Sequence, residues 1–289
     1  MKKIIITGAA GLLGQNLIAN FDRQDQLLCV DIAANPFPEY PNIKYLKADL
    51  TDFDSVYKEL IGFNPDFIFN CAALSDVDAC ESMAALANKL NVELVEYLLK
   101  IPCEKLIHYS SDYVFDGEHG PYSESDTPHP INYYGQTKFQ SEKILAGSKS
   151  NYLIIRTNVL YGRAKNVKPS FVDWVGERLK REDTLKIAGD QYNNPTLAVN
   201  LAMASIEFAL KDLTGVIHIA GTEYLSRYDM AIKIAGFLGL PIGLIEKVTS
   251  DVIAQKAKRP HRGGLAIAKA AKLLSFELVG FTEGLRGTL

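Results

Sequence analysis

The chain has 289 residues, 47% of them apolar and 22% charged, with a formal net charge of −3. A chain of this length buries roughly three-quarters of its unfolded surface, so it needs neither disulfides nor a metal to build a core. The composition excludes a disordered tail, a coiled coil and a collagen, and with no basic excess a nucleic-acid partner is not expected.

In chain order, short apolar or β-branched runs fall at Lys3–Thr7, Gln26–Asp31, Ile43–Lys47, Asp66–Asn70, Lys105–Ser110 and Tyr152–Arg156. Stretches with helical spacing lie between most of them, at Leu12–Asn20, Phe53–Leu60, Ser82–Lys100 and Gly135–Leu145. Nearly continuous apolar strands separated by amphipathic helices predict a parallel sheet covered on both faces. The connection from Asp31 to Ile43 carries Pro36, Pro38 and Pro41 and reads as a loop. Beyond Arg156 the spacing predicts helices over Phe171–Arg181, Val199–Lys211, Ser226–Gly236 and Leu265–Leu274, with strands at Thr184–Ala188 and Val216–Ala220. The expected fold is α/β, a doubly wound parallel sheet that binds ligands at the carboxyl ends of its strands. Residues 1–158 form its dinucleotide-binding part and 159–289 a smaller C-terminal α/β substrate lobe, with 199–220 a candidate return to the main sheet. Trp174, spaced with Phe171 and Val175 along one helix, reads as core.

The longest apolar stretch, Ile234–Ile245, is interrupted by three glycines and Pro241, so no membrane segment is expected. The apolar run after Met1-Lys2-Lys3 is too short for a signal-peptide core. Cys29, Cys71, Cys80 and Cys103 form no CxxC pair, and the five histidines show no HxxxH or HExxH spacing. These features predict reduced thiols, no metal site and a cytoplasmic location; His108, within a strand, reads as structural.

The first strand runs into Thr7-Gly8-Ala9-Ala10-Gly11-Leu12-Leu13-Gly14. Gly8 suits a tight turn, Gly11 lets backbone approach a pyrophosphate at a helix N-terminus, and Gly14 lets the helix pack on the sheet. Glycines also punctuate ordinary strand–helix turns. Here, however, Asp31 ends the second strand, 17 residues after Gly14, where a carboxylate can hold ribose hydroxyls. A carboxylate at that place repels a 2′-phosphate and no arginine follows it, which favours NAD(H) and leaves NADP(H) open.

Three tyrosines precede a lysine by four residues: Tyr40/Lys44, Tyr134/Lys138 and Tyr161/Lys165. Pro41 and Gly162 spoil the first and last for a helix face; Tyr134 alone opens a good helical stretch. An ammonium one turn away can stabilise a phenolate, lowering the tyrosine's pKa and fitting it for proton transfer. The strand before it ends in Ser110-Ser111-Asp112, with Ser111 23 residues ahead of Tyr134. Ser111 alone reads as a turn hydroxyl; beside the glycine loop and the Tyr134/Lys138 pair it reads as a donor to a carbonyl oxygen.

Taken together, TGAAGLLG at 7–14, DL at 49–50, NCAALSDVDACE at 70–81, NV at 91–92, HYSSDYVFDG at 108–117, YGQTKFQSE at 134–142, RTNVLYG at 156–162, DQYNNPT at 190–196 and RPHRGGL at 259–265 resemble the extended short-chain dehydrogenase/reductase superfamily. Within it the chain is most similar to the dTDP-4-dehydrorhamnose reductase family. The resemblance implies a Rossmann-type sheet and a catalytic set of Ser111, Tyr134 and Lys138. It places Gly8, Gly11 and Leu12 on the cofactor pyrophosphate and Asp31 on the ribose. Asp49 and Leu50 would flank the adenine, and Ala72, Ala73 and Ser75 line the inner cofactor wall. Asn91 would have a positioning role. Ser111, Asp112, Val159, Arg259 and Arg262 fall on the substrate side.

The implied reaction is NAD(P)H-dependent reduction of a keto group on a nucleotide-linked deoxysugar, with Arg259 and Arg262 as candidates for its pyrophosphate. With Lys256 and Lys258 they also read as a solvated basic stretch. Val159 stands near where the family commonly carries an aromatic wall, and Arg262-Gly263 replaces a polar pair. An epimerase or dehydratase recycling tightly held NAD shares the fold and catalytic set, although Tyr113 stands where the dehydratases carry an acid. A different class is a non-catalytic subunit like the β subunit of methionine adenosyltransferase. The superfamily's usual homodimer surface falls on 82–100 and 135–145.

Overall fold

The computed structural model describes residues 1–288. Six strands, β1 (Lys3–Thr7), β2 (Gln26–Asp31), β3 (Ile43–Lys47), β4 (Phe67–Asn70), β5 (Lys105–Ser111) and β6 (Tyr152–Thr157), join Gly215–His218 in one seven-stranded parallel sheet. Its order is Gly215–His218, β6, β5, β4, β1, β2, β3. The chain thus starts in the middle of the sheet and winds outward both ways. The order reverses between β1 and β4, which opens a crevice at their carboxyl ends.

Alternation along the strands divides the core between the two faces. Ile4, Ile6 and Phe69 face α1 (Leu12–Asn20) and the helix Ala198–Leu210 through Leu13, Leu17, Leu201 and Phe208. Ile5, Val30 and Ile68 face the opposite layer, with Val56, Leu60, Leu98 and Leu145. Every residue of β4 and β5 is buried, as a doubly covered sheet requires, including the polar Lys105, His108, Ser110 and Ser111 of β5. A separate core of Val172, Val175, Leu179, Leu185, Ile187, Met230, Ile234 and Phe281 knits the C-terminal lobe.

The structure departs from the sequence reading at several places. The expected helix 82–100 is broken into Val77–Ser82, Ala84–Asn88 and Leu94–Leu98, with a π-turn over Lys89–Glu93. Met83 leaves helical backbone (φ −123°, ψ 46°), and the π-turn carries buried Asn91 inward. The Asn91 amide donates to the Leu74 carbonyl (3.2 Å) and Thr137 Oγ1 (3.0 Å) and accepts from Leu74 N–H (2.8 Å). This pins the loop after β4 to the helix Tyr133–Gly147. Such bulges concentrate at functional sites.

Trp174 is 38% exposed rather than core, stacked on Phe171 at 6.0 Å. The helix expected over Leu265–Leu274 is confined to Ala268–Leu273, because Leu265 instead bridges to Tyr122. A strand at Ile245–Val248, paired with Leu185–Ala188, and a helix at Phe281–Thr288 went unread. Among the described residues no helix is long and apolar enough to cross a membrane, and the four cysteines are free.

Two histidines lie fully inside. His108 contacts Asn70 and Ser141 at 3.1 and 2.9 Å, while His218 sits 3.3 Å from Arg156. Burial lowers the pKa of His108 well below its usual value, and burial with the Arg156 cation takes His218 from 6.5 down to about 3. The unfolded chain therefore binds protons below pH 6.5 that these two groups refuse when folded, so stability must fall as the medium is acidified. Asp112, raised by burial to about 6, opposes this between pH 6 and 3.8, one group against two. The expected result is a urea midpoint that drops between pH 7 and pH 5, with these three groups together contributing a net loss of stability of about 1.4 kcal/mol per pH unit. A midpoint that is flat or rises over that interval would contradict the buried neutral histidines.

Candidate active site

The glycine turn opens the cleft. Gly8 adopts φ +64°, and a Cβ there would lie 2.7 Å from the Ala72 nitrogen and the Cys71 carbonyl carbon. Only glycine satisfies both the backbone and the approach of the β4 loop. A Cβ on Gly14 would lie 2.7 Å from Ala9 Cα, so Gly14 serves packing and stays out of the cleft lining. Gly11 is the N-cap of α1 and supplies no side-chain cap, which leaves first-turn amides available to an anion. Asp31 is held beside this turn: its Oδ2 accepts from Ala10 N–H and its Oδ1 from Ala33 N–H, both at 2.9 Å.

From here a cleft of about 870 Å³ runs along the carboxyl ends of the strands. Gly8, Gly11, Leu12, Asp31, Asp49, Leu50, Ala72, Ala73 and Ser75 line one end; Ser111, Asp112, Tyr134, Lys138 and Val159 line the other. A left-handed-permissive turn, an open helix N-terminus and a fixed carboxylate fit a dinucleotide of the nicotinamide type at the first end.

At the other end, β5 delivers Ser111, whose hydroxyl accepts from Tyr113 N–H and donates to Asp112 Oδ1, both at 3.2 Å. The helix Tyr133–Gly147 is capped by Asn132, whose Oδ1 accepts from Gly135 N–H at 2.8 Å, so Tyr134 lies in its first turn. Lys138 follows one turn later, buried, donating to the Tyr109 carbonyl at 2.9 Å, with Nζ 6.0 Å from the Tyr134 ring centre. Burial lowers the Lys138 ammonium to about 8.

The Tyr134 hydroxyl differs from the sequence expectation. Burial pushes its pKa up rather than down; the neighbouring Ser111 hydroxyl opposes this only in part, and Asp112 adds to the rise. The phenol keeps its proton across the neutral range, the state a proton donor needs. The other two tyrosine–lysine pairs have structural settings: Tyr40 stacks on Phe37 at 4.9 Å, and Tyr161 packs edge-on to Phe281 at 5.0 Å.

The C-terminal lobe closes this second end. Gly264 N–H donates to Asp112 Oδ2 at 3.2 Å, and Asn158 donates to Asn194 at 3.0 Å. Val159 holds φ +38° while lining the cleft, a conformation costly for a β-branched side chain. Arg259 and Arg262 do not line this cleft; Arg259 pairs with Asp78 at 3.0 Å. The wall instead contains Arg227, Asn158 and Ser170, which sequence reasoning passed over. The signal for Arg227 was the S-x-x-D capping box of Ser226 and Asp229, which fixes the first turn of the helix that carries it.

A doubly wound sheet with this glycine turn and this serine–tyrosine–lysine end defines a class, the NAD(P)-dependent oxidoreductases of Rossmann type. Comparison with known proteins narrows it. Residues 1–289 match the family described as RmlD substrate binding domain, and the chain belongs to that family. It is 31% identical to dTDP-4-dehydrorhamnose reductase of Aggregatibacter actinomycetemcomitans, over 93% of this chain and 92% of that protein. It is also 31% identical to methionine adenosyltransferase 2 subunit beta of Danio rerio, over 100% of this chain and 90% of that protein. The crystal structure of dTDP-4-dehydrorhamnose reductase from Bacillus anthracis in complex with NADP superposes with a TM-score of 0.85 at 26% identity, covering 99% and 97% of the two chains.

Proposed function

We propose that this oxidoreductase reduces a keto group on a nucleotide-linked deoxysugar, with a dTDP-4-dehydrorhamnose-like compound as substrate. The observation carrying the reading is that Ser111, Tyr134 and Lys138 meet in the same cleft as the Gly8 turn and Asp31. The dinucleotide, when bound, supplies the hydride. Tyr134 gives its proton to the carbonyl oxygen as negative charge develops there, and the Ser111 hydroxyl donates to the same oxygen. The Lys138 ammonium stabilises the resulting phenolate, and its hydrogen bond to the Tyr109 carbonyl fixes it in place. Lys138 is buried, which strengthens its interaction with the phenolate.

The test is to supply NADH or NADPH with dTDP-4-dehydro-6-deoxy-L-mannose and follow nicotinamide absorbance against sugar product. Matched loss of cofactor and gain of a reduced sugar supports the reading. Sugar conversion without net cofactor oxidation would make the chain an internally recycling epimerase or dehydratase. Cofactor binding without conversion would favour the non-catalytic reading, a dinucleotide-binding subunit of a larger enzyme.

Asp31 also supports a preference for NAD(H). Its two oxygens are already oriented by Ala10 and Ala33, and a 2′-phosphate would meet that carboxylate. NADH is expected to bind about tenfold or more tighter than NADPH, and Asp31→Ser to narrow the gap. Titration of cofactor fluorescence reads both; tighter NADPH binding to the unaltered protein would refute the preference.

A further inference from the structure

We propose that Arg227 is an oxyanion-binding, specificity-determining residue of the substrate cleft, taking either the diphosphate or a sugar carboxylate of the substrate. This deepens the reading above and rests on it. Among the described residues, three cationic side chains line the cleft: Lys138, Lys168 and Arg227. Lys138 is committed to the Tyr109 carbonyl, and Lys168 is paired with Asp76 at 2.7 Å. Arg227 is different, because no carboxylate among the described residues lies within ion-pair distance of it. Its immediate neighbours are aromatic: the Phe171 face, 5.1 Å from its guanidinium carbon, and Tyr113, which with the more distant Asp112 carboxylate acts on it electrostatically.

Its placement is built rather than incidental. Arg227 N–H donates to the Gln191 carbonyl at 2.9 Å. The reciprocal Ser226–Asp229 cap fixes the turn on which it stands. Packing against Phe171 holds the guanidinium at the wall while leaving its outer N–H groups to the cleft. Tyr113 in turn meets Tyr134 edge-on, with ring centres 5.8 Å apart. Arg227 therefore sits one aromatic ring away from the proposed proton donor, at the end where the sugar lies. Arg259, though turned to Asp78, is close enough to act electrostatically on Arg227 and Tyr113, while Asp112, which also lines the cleft, acts on both with the opposite sign. A planar fork of donors without a carboxylate, in a confined wall, suits a phosphate or a carboxylate in two-point contact.

The test titrates the NADH-saturated protein and its Arg227→Gln and Arg227→Lys variants with inorganic pyrophosphate, dTDP-glucose and dTDP-glucuronate. Unchanged NADH affinity in both variants establishes that the fold is kept. Loss of about tenfold to a hundredfold for all three probes in Arg227→Gln, with partial recovery in Arg227→Lys, identifies the diphosphate as the source of the anion. The same loss confined to dTDP-glucuronate identifies a sugar carboxylate. Equal binding of all probes by Arg227→Gln and the unaltered protein overturns the assignment, as does failure of the unaltered protein to bind any of them. If the unaltered protein binds pyrophosphate in an Arg227-dependent way but neither sugar nucleotide, the oxyanion site stands and the nucleotide-sugar reading falls.

Discussion

Replacing Tyr134 by phenylalanine is expected to lower turnover of the keto-sugar nucleotide by about 10²- to 10⁴-fold, the usual contribution of a positioned acid. The ring stays, so its edge contact with Tyr113 and its packing are retained; only the proton is removed. NADH affinity should change by no more than about twofold, because Gly8, Gly11 and Asp31 hold the far end of the cofactor. The same variant tests the role given to Lys138. Its ammonium, lowered by burial to about 8, loses its proton above that pH. The unaltered protein's rate should therefore decline on the alkaline side of pH 8, and the residual rate of the variant should not follow that limb. A Tyr134→Phe protein with undiminished turnover would remove this residue from the reaction.

The largest expected effect on stability is at Glu142. Its carboxylate receives Arg156 through two hydrogen bonds of 2.8 and 2.6 Å and the Ser110 hydroxyl at 2.5 Å, with the pair's side chains only 5% and 4% exposed. Glu142→Ala leaves a buried guanidinium without its counter-charge, which costs about 3–5 kcal/mol. In a chain of this size that corresponds to a fall in Tm on the order of 10 °C. Arg156→Met together with Glu142→Ala should cost much less than the two changes separately, since no uncompensated charge remains. A single Glu142→Ala loss below about 1 kcal/mol would show that the pair is not the anchor described. Because Ser110 precedes Ser111 on β5, the anchor also bears on how firmly the proposed carbonyl donor is held.

Much of this site could be read before any coordinates, and the reasons are local. A glycine at φ +64°, an acid ending the second strand and a tyrosine a turn before a lysine each follow from short-range chemistry, so their spacing survives as a readable signal. The features missed depend on distant chain. Asn91 bends its helix into a π-turn because its amide finds Leu74 and Thr137, 17 and 46 residues away. Arg227 reaches the cleft because its helix packs within the C-terminal lobe through Met230, Ala231 and Ile234; the capping box of Ser226 and Asp229 marks where that helix starts but not what its first turn faces. Arg259 illustrates the converse: a basic cluster in a familiar stretch drew attention, yet folding brings Asp78 to it across 181 residues of chain. Trp174 failed for a simpler reason, since amphipathic spacing does not say how wide the covered stripe is.

The most direct test of the central claim is to run the reaction with NADH carrying deuterium at both C4 positions of the nicotinamide and analyse the sugar product by mass spectrometry. Reduction in this cleft predicts a sugar that carries the label at the former carbonyl carbon, formed in step with oxidised cofactor. Unlabelled sugar product, or label that remains wholly on the dinucleotide after the sugar has been converted, would contradict it.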